Sequence, residues 1–259
     1  RQLRQALSVP AAPRDHWFED LADHLGGAYL RYSFTKGTEQ EVSFLVEALG
    51  LEPGMRVLDV GCGPGRHAHA LGRRGIEVHG IDISERFVQL ARAGAPPGVT
   101  VERADARHLQ AVGEFDAVIS LCQGAFGLAD GGADAGRTVP LDPDAAVLDG
   151  MARALRPGGR LALSAFSAYF QVRWLDPDRG SFDADRGVNH ERTVIKDESG
   201  AEAEVDLWTT CFTPRELRLL VARSGLDLQH LWSVRPGAYG PNPPDLDHEE
   251  FLVVARRPD

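Results

Sequence analysis

Apolar and polar positions along the chain follow two alternating rhythms. From 39 to 49, Val42, Leu45, Val46 and Leu49 recur at helical spacing, and Gly50 stands where a helix C-terminus favours left-handed backbone. Residues 55–60 ("MRVLDV") form a short apolar run suited to a strand buried on both faces, and "GRHAHALGRRG" after them reads as a helix ending near Gly75. The alternation continues with strands at 76–82, 99–105, 115–121 and 160–166, and with helices at 84–94 and before the Pro157-Gly158-Gly159 turn. Strands alternating with helices predict right-handed crossovers and a mainly parallel sheet.

After Ser167 the rhythm changes. "ERTVIKDESGAEAEVDLWTT" predicts two strands about a Ser199-Gly200 turn, a hairpin inserted between core elements. Thr213-Pro214-Arg215-Glu216 joins an N-cap, a proline at the first helical position and a glutamate that completes a capping box, so a helix starts at Pro214. Two terminal strands, "LDLQHLWSV" and "EEFLVVARR", flank a loop from 236 to 248. The expected organisation is an N-terminal helical segment over 1–50, a core over 51–166, an inserted hairpin over 167–210 and the rest of the core over 211–259.

Composition narrows the possibilities. The 38 acidic residues against 28 Lys and Arg give a net charge of −10, which repels phosphate backbones and argues for a small-molecule partner over nucleic acid. No apolar run reaches the length of a membrane span, and the opening stretch lacks the apolar core of a secretion signal, so a cytoplasmic location is expected. Cys62, Cys122 and Cys211 are too widely spaced for a disulfide framework or a zinc site. Asp130, Asp134, Asp142 and Asp144 fit no calcium-loop spacing, and no metal is expected.

The chemistry concentrates in "VLDVGCGPG". Gly61, Gly63 and Gly65 after a buried strand let the backbone approach a ligand at the carboxyl edge of a parallel sheet. A dinucleotide fingerprint places a third glycine where this chain has Arg66, and no P-loop motif is present. Asp82, ending the second strand, has two oxygens for the two hydroxyls of a ribose. Asp59, two residues before the first glycine, repels phosphate and suits a ligand with ammonium and sulfonium charges.

Together these residues resemble the class I S-adenosylmethionine-dependent methyltransferases. "VLDVGCGPG" is similar to the family's first motif, "GIDIS" to its ribose-binding acid, "RADAR" to its adenine segment, "FDAVISL" to its fourth motif and "LRPGGRLAL" to the turn into strand five. The resemblance implies a Rossmann-like, seven-stranded, mainly parallel sheet with an antiparallel last strand, helices on both faces, and S-adenosylmethionine as cofactor. It implies that Gly61, Cys62 and Gly63 line the methionine part and Asp82 holds the ribose. Ile83 then flanks the adenine, Asp105 and Ala106 meet its amino edge, and Leu121 and Gln123 lie beside the sulfonium.

Catalytic residues are less defined. Methyl transfer is an in-line displacement at an already activated carbon, so placement of the acceptor supplies much of the acceleration. Tyr29, Arg31 and Tyr32, in a segment that folds over the cofactor in related enzymes, are candidates for the methionine carboxylate or the substrate; core packing is the alternative for each tyrosine. Phe126 is a candidate ring beside the reacting methyl, and His190 a candidate base. His67 and His69, two residues apart on a helix, share no face for a metal. A small-molecule methyltransferase leads, with no membrane partner and a monomer or homodimer left open. A protein methyltransferase, a cofactor-binding protein without transferase activity and a nicotinamide dehydrogenase are the alternatives.

Overall fold

In a computed structural model, the structure describes residues 16–122, 124–128 and 142–259. Five parallel strands form the centre: β1 (Arg56–Val60), β2 (Glu77–Asp82), β3 (Val99–Arg103), β4 (Phe115–Ser120) and β5 (Leu155–Ser167). Beyond β5 the sheet continues through β11 (Glu250–Arg256), β9 (Asp227–Arg235) and the edge strand β10 (Ala238–Asn242), giving the order β10-β9-β11-β5-β4-β1-β2-β3. Strand β11 runs antiparallel to both neighbours. The seven strands of the expected sheet are therefore present, and β10 extends it from within the stretch read as a loop.

That extension has a local cause. Helix α2 (Thr38–Leu49) presents Gln40, whose amide donates to the Tyr239 carbonyl at 2.7 Å and accepts from its N–H at 2.8 Å. The contact holds the 238–242 stretch alongside β9. At the other junction, Leu155 pairs with Phe115 and Arg160 with Ala117, so the Pro157-Gly158-Gly159 turn appears as a bulge within β5.

Helices cover both faces. Helices α2, α3 (Arg66–Gly72) and α4 (Glu85–Gly94) bury Val42, Leu45, Leu71 and Val88 on one side; α5 (Asp142–Ala154) and α7 (Pro214–Arg223) bury Leu148, Met151, Leu217 and Val221 on the other. Each such fully buried aliphatic side chain contributes about 1.5–3 kcal/mol over an exposed one. The capping box at Thr213 forms as the sequence predicts, with Thr213 Oγ1 accepting from Glu216 N and Glu216 Oε2 from Thr213 N.

The insert opens with the short helix α6 (Ala168–Arg173) and has three antiparallel strands instead of a two-stranded hairpin: β6 (Gly180–Asp183), β7 (Val188–Lys196) and β8 (Glu202–Phe212). The Ser199-Gly200 turn falls between β7 and β8 as expected. The end of β8 pairs with the end of β5, through Phe166–Cys211 and Ser167–Phe212. Helix α1 (Phe18–Leu25) packs Leu21 and Leu25 against Ile195 of β7, and Trp17 meets Trp208 edge to face at 5.6 Å. The N-terminal segment and the insert thus meet above the carboxyl ends of β1, β2, β4 and β5. No helix among the described residues is long and apolar enough to cross a membrane.

Candidate active site

The turn after β1 is held by the strand beside it. Gly61 N and Cys62 N both donate to the Ile81 carbonyl, at 2.8 and 2.9 Å. The Asp82 carboxylate then joins two loops: one oxygen accepts from Gly63 N at 2.8 Å and the other from Ser84 N at 2.9 Å. Gly61, Gly63 and Gly65 have φ of 74°, 55° and 86°, backbone that other residues rarely adopt. A Cβ on Gly61 would stand 2.0 Å from the backbone of Gly124, so the first glycine is also required by close approach.

Burial raises the pKa of Asp82; the Ser84 and Gly63 N–H groups oppose it and Glu19 adds to it, leaving it at about 6. Asp59 is buried under the turn, and burial, opposed by Arg66 and the Ala68 N–H and reinforced by Asp82, brings it to about 7. Above the ordinary 3.8, the folded state keeps a proton that the unfolded chain has released, so stability falls as pH rises from about 4 to about 7. Asp59→Asn is expected to remove this slope, up to about 1.4 kcal/mol per pH unit for one proton. Urea unfolding of both proteins across that pH range checks it; parallel curves would refute it.

Two adjoining cavities share Gly61, Asp82 and Gly124. The smaller, a 40 Å³ slot, has Ile83, Asp105 and Ala106 in its wall. Burial raises the pKa of Asp105, but Arg107 hydrogen bonds to both its oxygens and brings it below the ordinary carboxylate value. The larger, of 390 Å³, runs from Gly61, Gly63 and Asp82 to the insert. Its walls include Phe18, Tyr29, Tyr32 and Phe34 from the N-terminal segment, Glu191, Thr193 and Ile195 from β7, and Cys122, Phe166 and Glu250 at strand ends.

Of the residues singled out by sequence, Gly61, Gly63, Asp82, Ile83, Asp105, Ala106, Tyr29 and Tyr32 therefore come together on these walls. Others do not. Asp59 lines neither cavity. The Cys62 side chain packs towards Gly80 in the core, leaving only its backbone in the turn. Leu121 is buried in the core, and the next residue, Cys122, lines the cavity with φ of 50°. Arg31 turns outward and donates to the Glu198 carbonyl at 3.2 Å. Phe126 is fully buried, stacked on Phe212 with centroids 4.7 Å apart, so it presents no ring to the cavity. His190 sits on the opposite face of β7 from Glu191, stacked on Trp208 and bonded to Asp206 at 2.8 Å, so it is no base for the cavity. Gln123, Asp130 and Asp134 lie outside the described residues, as does the Asp142 side chain; Asp144 accepts from Gly127 N at 2.7 Å.

Sequence reasoning missed the support behind the turn. Glu41 of α2 is fully buried and accepts from His67 Nε2 at 2.7 Å, from Gly237 N at 2.7 Å and from Arg66 Nη1. Burial alone would raise its pKa; His67 and Arg66 bring it down to about 2. Arg66 also donates to Thr38 Oγ1 and to Cys122 Sγ, tying α2, the glycine turn and the end of β4 together. His67 is a buried member of this group, and burial lowers its pKa. Above the cavity, Glu198 accepts from Gly27 N and, at 3.0 Å, from Arg86 Nη2, clasping the β7–β8 turn to the N-terminal segment and α4.

This arrangement agrees with what the chain resembles among known proteins. Residues 57–159 match a family model described as a methyltransferase domain. Methyltransferase GfsG of Streptomyces halstedii is 30% identical over 210 residues, 76% of this chain and 61% of its own length. The S-adenosyl-L-methionine-dependent Diels-Alderase iliD of Neonectria sp. (strain DH2) is 31% identical over 140 residues, 52% of this chain and 48% of its own. The chain thus spans about half to three-fifths of the length of these curated relatives. In fold it is similar to the CcbJ methyltransferase of Streptomyces caelestis, with a TM-score of 0.71 and 19% identity over 95% of this chain and 98% of that one. Its glycine turn and its strand-end aspartate lie within the matched residues, so residues 57–159 carry a methyltransferase domain, in a fold similar to that of a solved methyltransferase.

Proposed function

We propose that this chain transfers the methyl group of S-adenosylmethionine to a small-molecule acceptor held in the 390 Å³ cavity. The observation that carries the reading is the continuity of that cavity: one end is the Gly61–Gly63 turn with Asp82, the other the aromatic N-terminal segment and the insert. A volume of a few hundred cubic ångströms suits a small ligand.

The residues fit the cofactor by their chemistry. Each Asp82 oxygen, after accepting one backbone N–H, keeps a lone pair for a ribose hydroxyl. The bare turn admits the methionine part, and the slot beside Asp105 offers the apolar side chains of Ile83, Ala104 and Ala106 to a base. When bound, the cofactor supplies a methyl carbon activated by its sulfonium. The chain's own residues align an acceptor against it and exclude water, with residues 16–50 and 167–210 as the cap over the core. Tyr29 and Tyr32 are the polar-tipped rings nearest this task; Tyr32 Oη already accepts from Lys196 N at 3.3 Å, which fixes its position.

A second reading, cofactor binding without methyl transfer, draws support from the S-adenosyl-L-methionine-dependent Diels-Alderase among the similar proteins. Incubation with methyl-labelled S-adenosylmethionine and a fractionated metabolite extract separates the two. Label in a small-molecule fraction is the expected result; retention of the cofactor with no label passed on would overturn the transferase reading in favour of the second.

A further inference from the structure

Resting on the reading above, we infer that residues 26–36 form a strap that lifts for S-adenosylmethionine to enter and for its product to leave, and that Glu198, at the tip of the insert, is the positioning residue that fastens it. The inner side of this stretch carries Tyr29, Tyr32 and Phe34 on the wall of the larger cavity. Tyr29 lies over the glycine turn, its Cε1 4.0 Å from where a Cβ on Gly63 would stand. A cofactor seated on Gly61, Gly63 and Asp82 therefore lies beneath the strap. The outer side meets the β7–β8 turn. Glu198 Oε1 accepts from Gly27 N and, at 3.0 Å, from Arg86 Nη2; the Glu198 carbonyl accepts from Arg31 Nη1 at 3.2 Å, and Lys196 N donates to Tyr32 Oη at 3.3 Å.

Local structure lets the strap move as one piece. It consists of two short 3-10 turns, Gly26–Arg31 and Ser33–Thr35, joined by Thr35 Oγ1, which donates to the Leu30 and Tyr32 carbonyls at 3.0 and 2.8 Å. Glycines bracket it. Gly26, with φ of 47°, separates the strap from α1, whose Leu21 and Leu25 stay packed on Ile195 of β7. At the far end, Gly37 presses on Gly237 so closely that a Cβ would stand 1.9 Å from the Gly237 Cα, which makes a fixed pivot. A few residues at the ends of an element suffice to absorb the backbone rotation of such a movement.

The fastening is held ready from the other side. Asp197 Oδ1 accepts from Ser199 N, Ser199 Oγ and Ala201 N at 2.8, 2.7 and 2.8 Å, so the turn presents Glu198 in a set place. Arg86 stands in the first turn of α4, two residues after Ser84, whose N–H holds Asp82. One carboxylate therefore bears on both the strap and the loop of Asp82. The Arg86 and Glu198 side chains are 38% and 48% exposed, so water and salt compete for the pair, and the strap is closed by contacts weak enough to release.

The test follows the loss of tritiated S-adenosylhomocysteine from the full chain after a chase with excess unlabelled compound. Glu198→Ala is expected to speed dissociation about fivefold or more, with an unchanged midpoint of urea unfolding. Glu198→Gln keeps an oxygen for Gly27 N and Arg86, and should recover most of the parental retention. Arg86→Ala should add nothing to Glu198→Ala, because both open the same clasp. Raising NaCl from about 0.05 to about 0.5 M should speed release from the parent and leave Glu198→Ala unmoved. Release at the parental rate in Glu198→Ala overturns the inference, as does faster release matched by a fall in the unfolding midpoint, which marks a general loosening. If that variant does not fold, the salt series on the parent decides, and a rate indifferent to salt overturns the inference. Failure of the underlying reading shows separately, as no retention of S-adenosylhomocysteine by the parent.

Discussion

Glu41→Ala is expected to destabilise the fold by about 3–5 kcal/mol, the usual cost of breaking a buried ion pair from one side. The carboxylate is fully buried, and the side chains it serves, Arg66 and His67, are 8% and 6% exposed. Removing it strands a guanidinium and an imidazole in a volume water does not reach, and frees the Gly237 N–H as well. Exposure decides the magnitude. Glu39, two residues earlier on the same helix, also pairs with two arginines, Arg73 and Arg74, but its side chain is 64% exposed. Glu39→Ala should therefore cost only about 0–1 kcal/mol. Urea unfolding of the two variants side by side is the measurement, and equal losses would refute the account. Because Glu41's pKa lies at about 2, below its ordinary value of 4.5, its contribution is complete above about pH 4.5 and is lost as pH falls towards 2.

This cluster marks the boundary of what the sequence discloses. Features written into neighbouring residues were legible: the alternation of strand and helix, the capping box at Thr213, the turn at Ser199-Gly200, and the glycines and Asp82 at adjacent strand ends. Each depends on a few consecutive side chains and on the period of the backbone. Arg66 registers in the sequence only as a residue that is not the third glycine of a dinucleotide motif. Its partner Glu41 lies 25 positions earlier on another helix, and no local rule joins them.

The misplacements have similar causes. Successive side chains on a strand point to opposite faces, so the choice between His190 and Glu191 as the cavity residue is one of parity. Polar residues occupy both faces of β7, and the packing of α1 on the insert decides which face looks inward. Phe126 follows β4 at the expected place, but the chain between them passes through Cys122 in left-handed backbone, with Cys122 N held by Ser164 Oγ at 2.8 Å. The ring then stacks on Phe212, a residue 86 positions later at the end of the insert. Strands β6 and β10 are short and exist through their partners, which local propensity does not reveal.

Gly61→Ala is expected to abolish cofactor binding while leaving the protein folded. Two costs arise at this position, and only one concerns stability in general. The first is conformational: alanine at φ of 74° loses about 1–2 kcal/mol relative to glycine. The second is steric, because the new methyl would lie 2.0 Å from the Gly124 carbonyl carbon and 2.1 Å from its oxygen. Backbone cannot swing aside as a side-chain tip can, so either the turn or the segment starting at Gly124 must move. Gly61 and Gly124 are shared by both cavities, and displacement of either closes the passage between the smaller slot and the larger cavity. A loss of at least about 100-fold in S-adenosylhomocysteine affinity corresponds to roughly 2.7 kcal/mol, the size of a few misplaced hydrogen bonds. Gly54→Ala isolates the first cost: its φ is 87°, nothing stands within 4 Å of the added methyl, and it lines neither cavity. Both variants should lose a similar amount of conformational stability on urea unfolding, with the steric cost as an addition at Gly61. Calorimetry should then find ligand affinity intact in Gly54→Ala and gone in Gly61→Ala. If the Gly61 variant binds as the parent does, the turn is not the cofactor's seat.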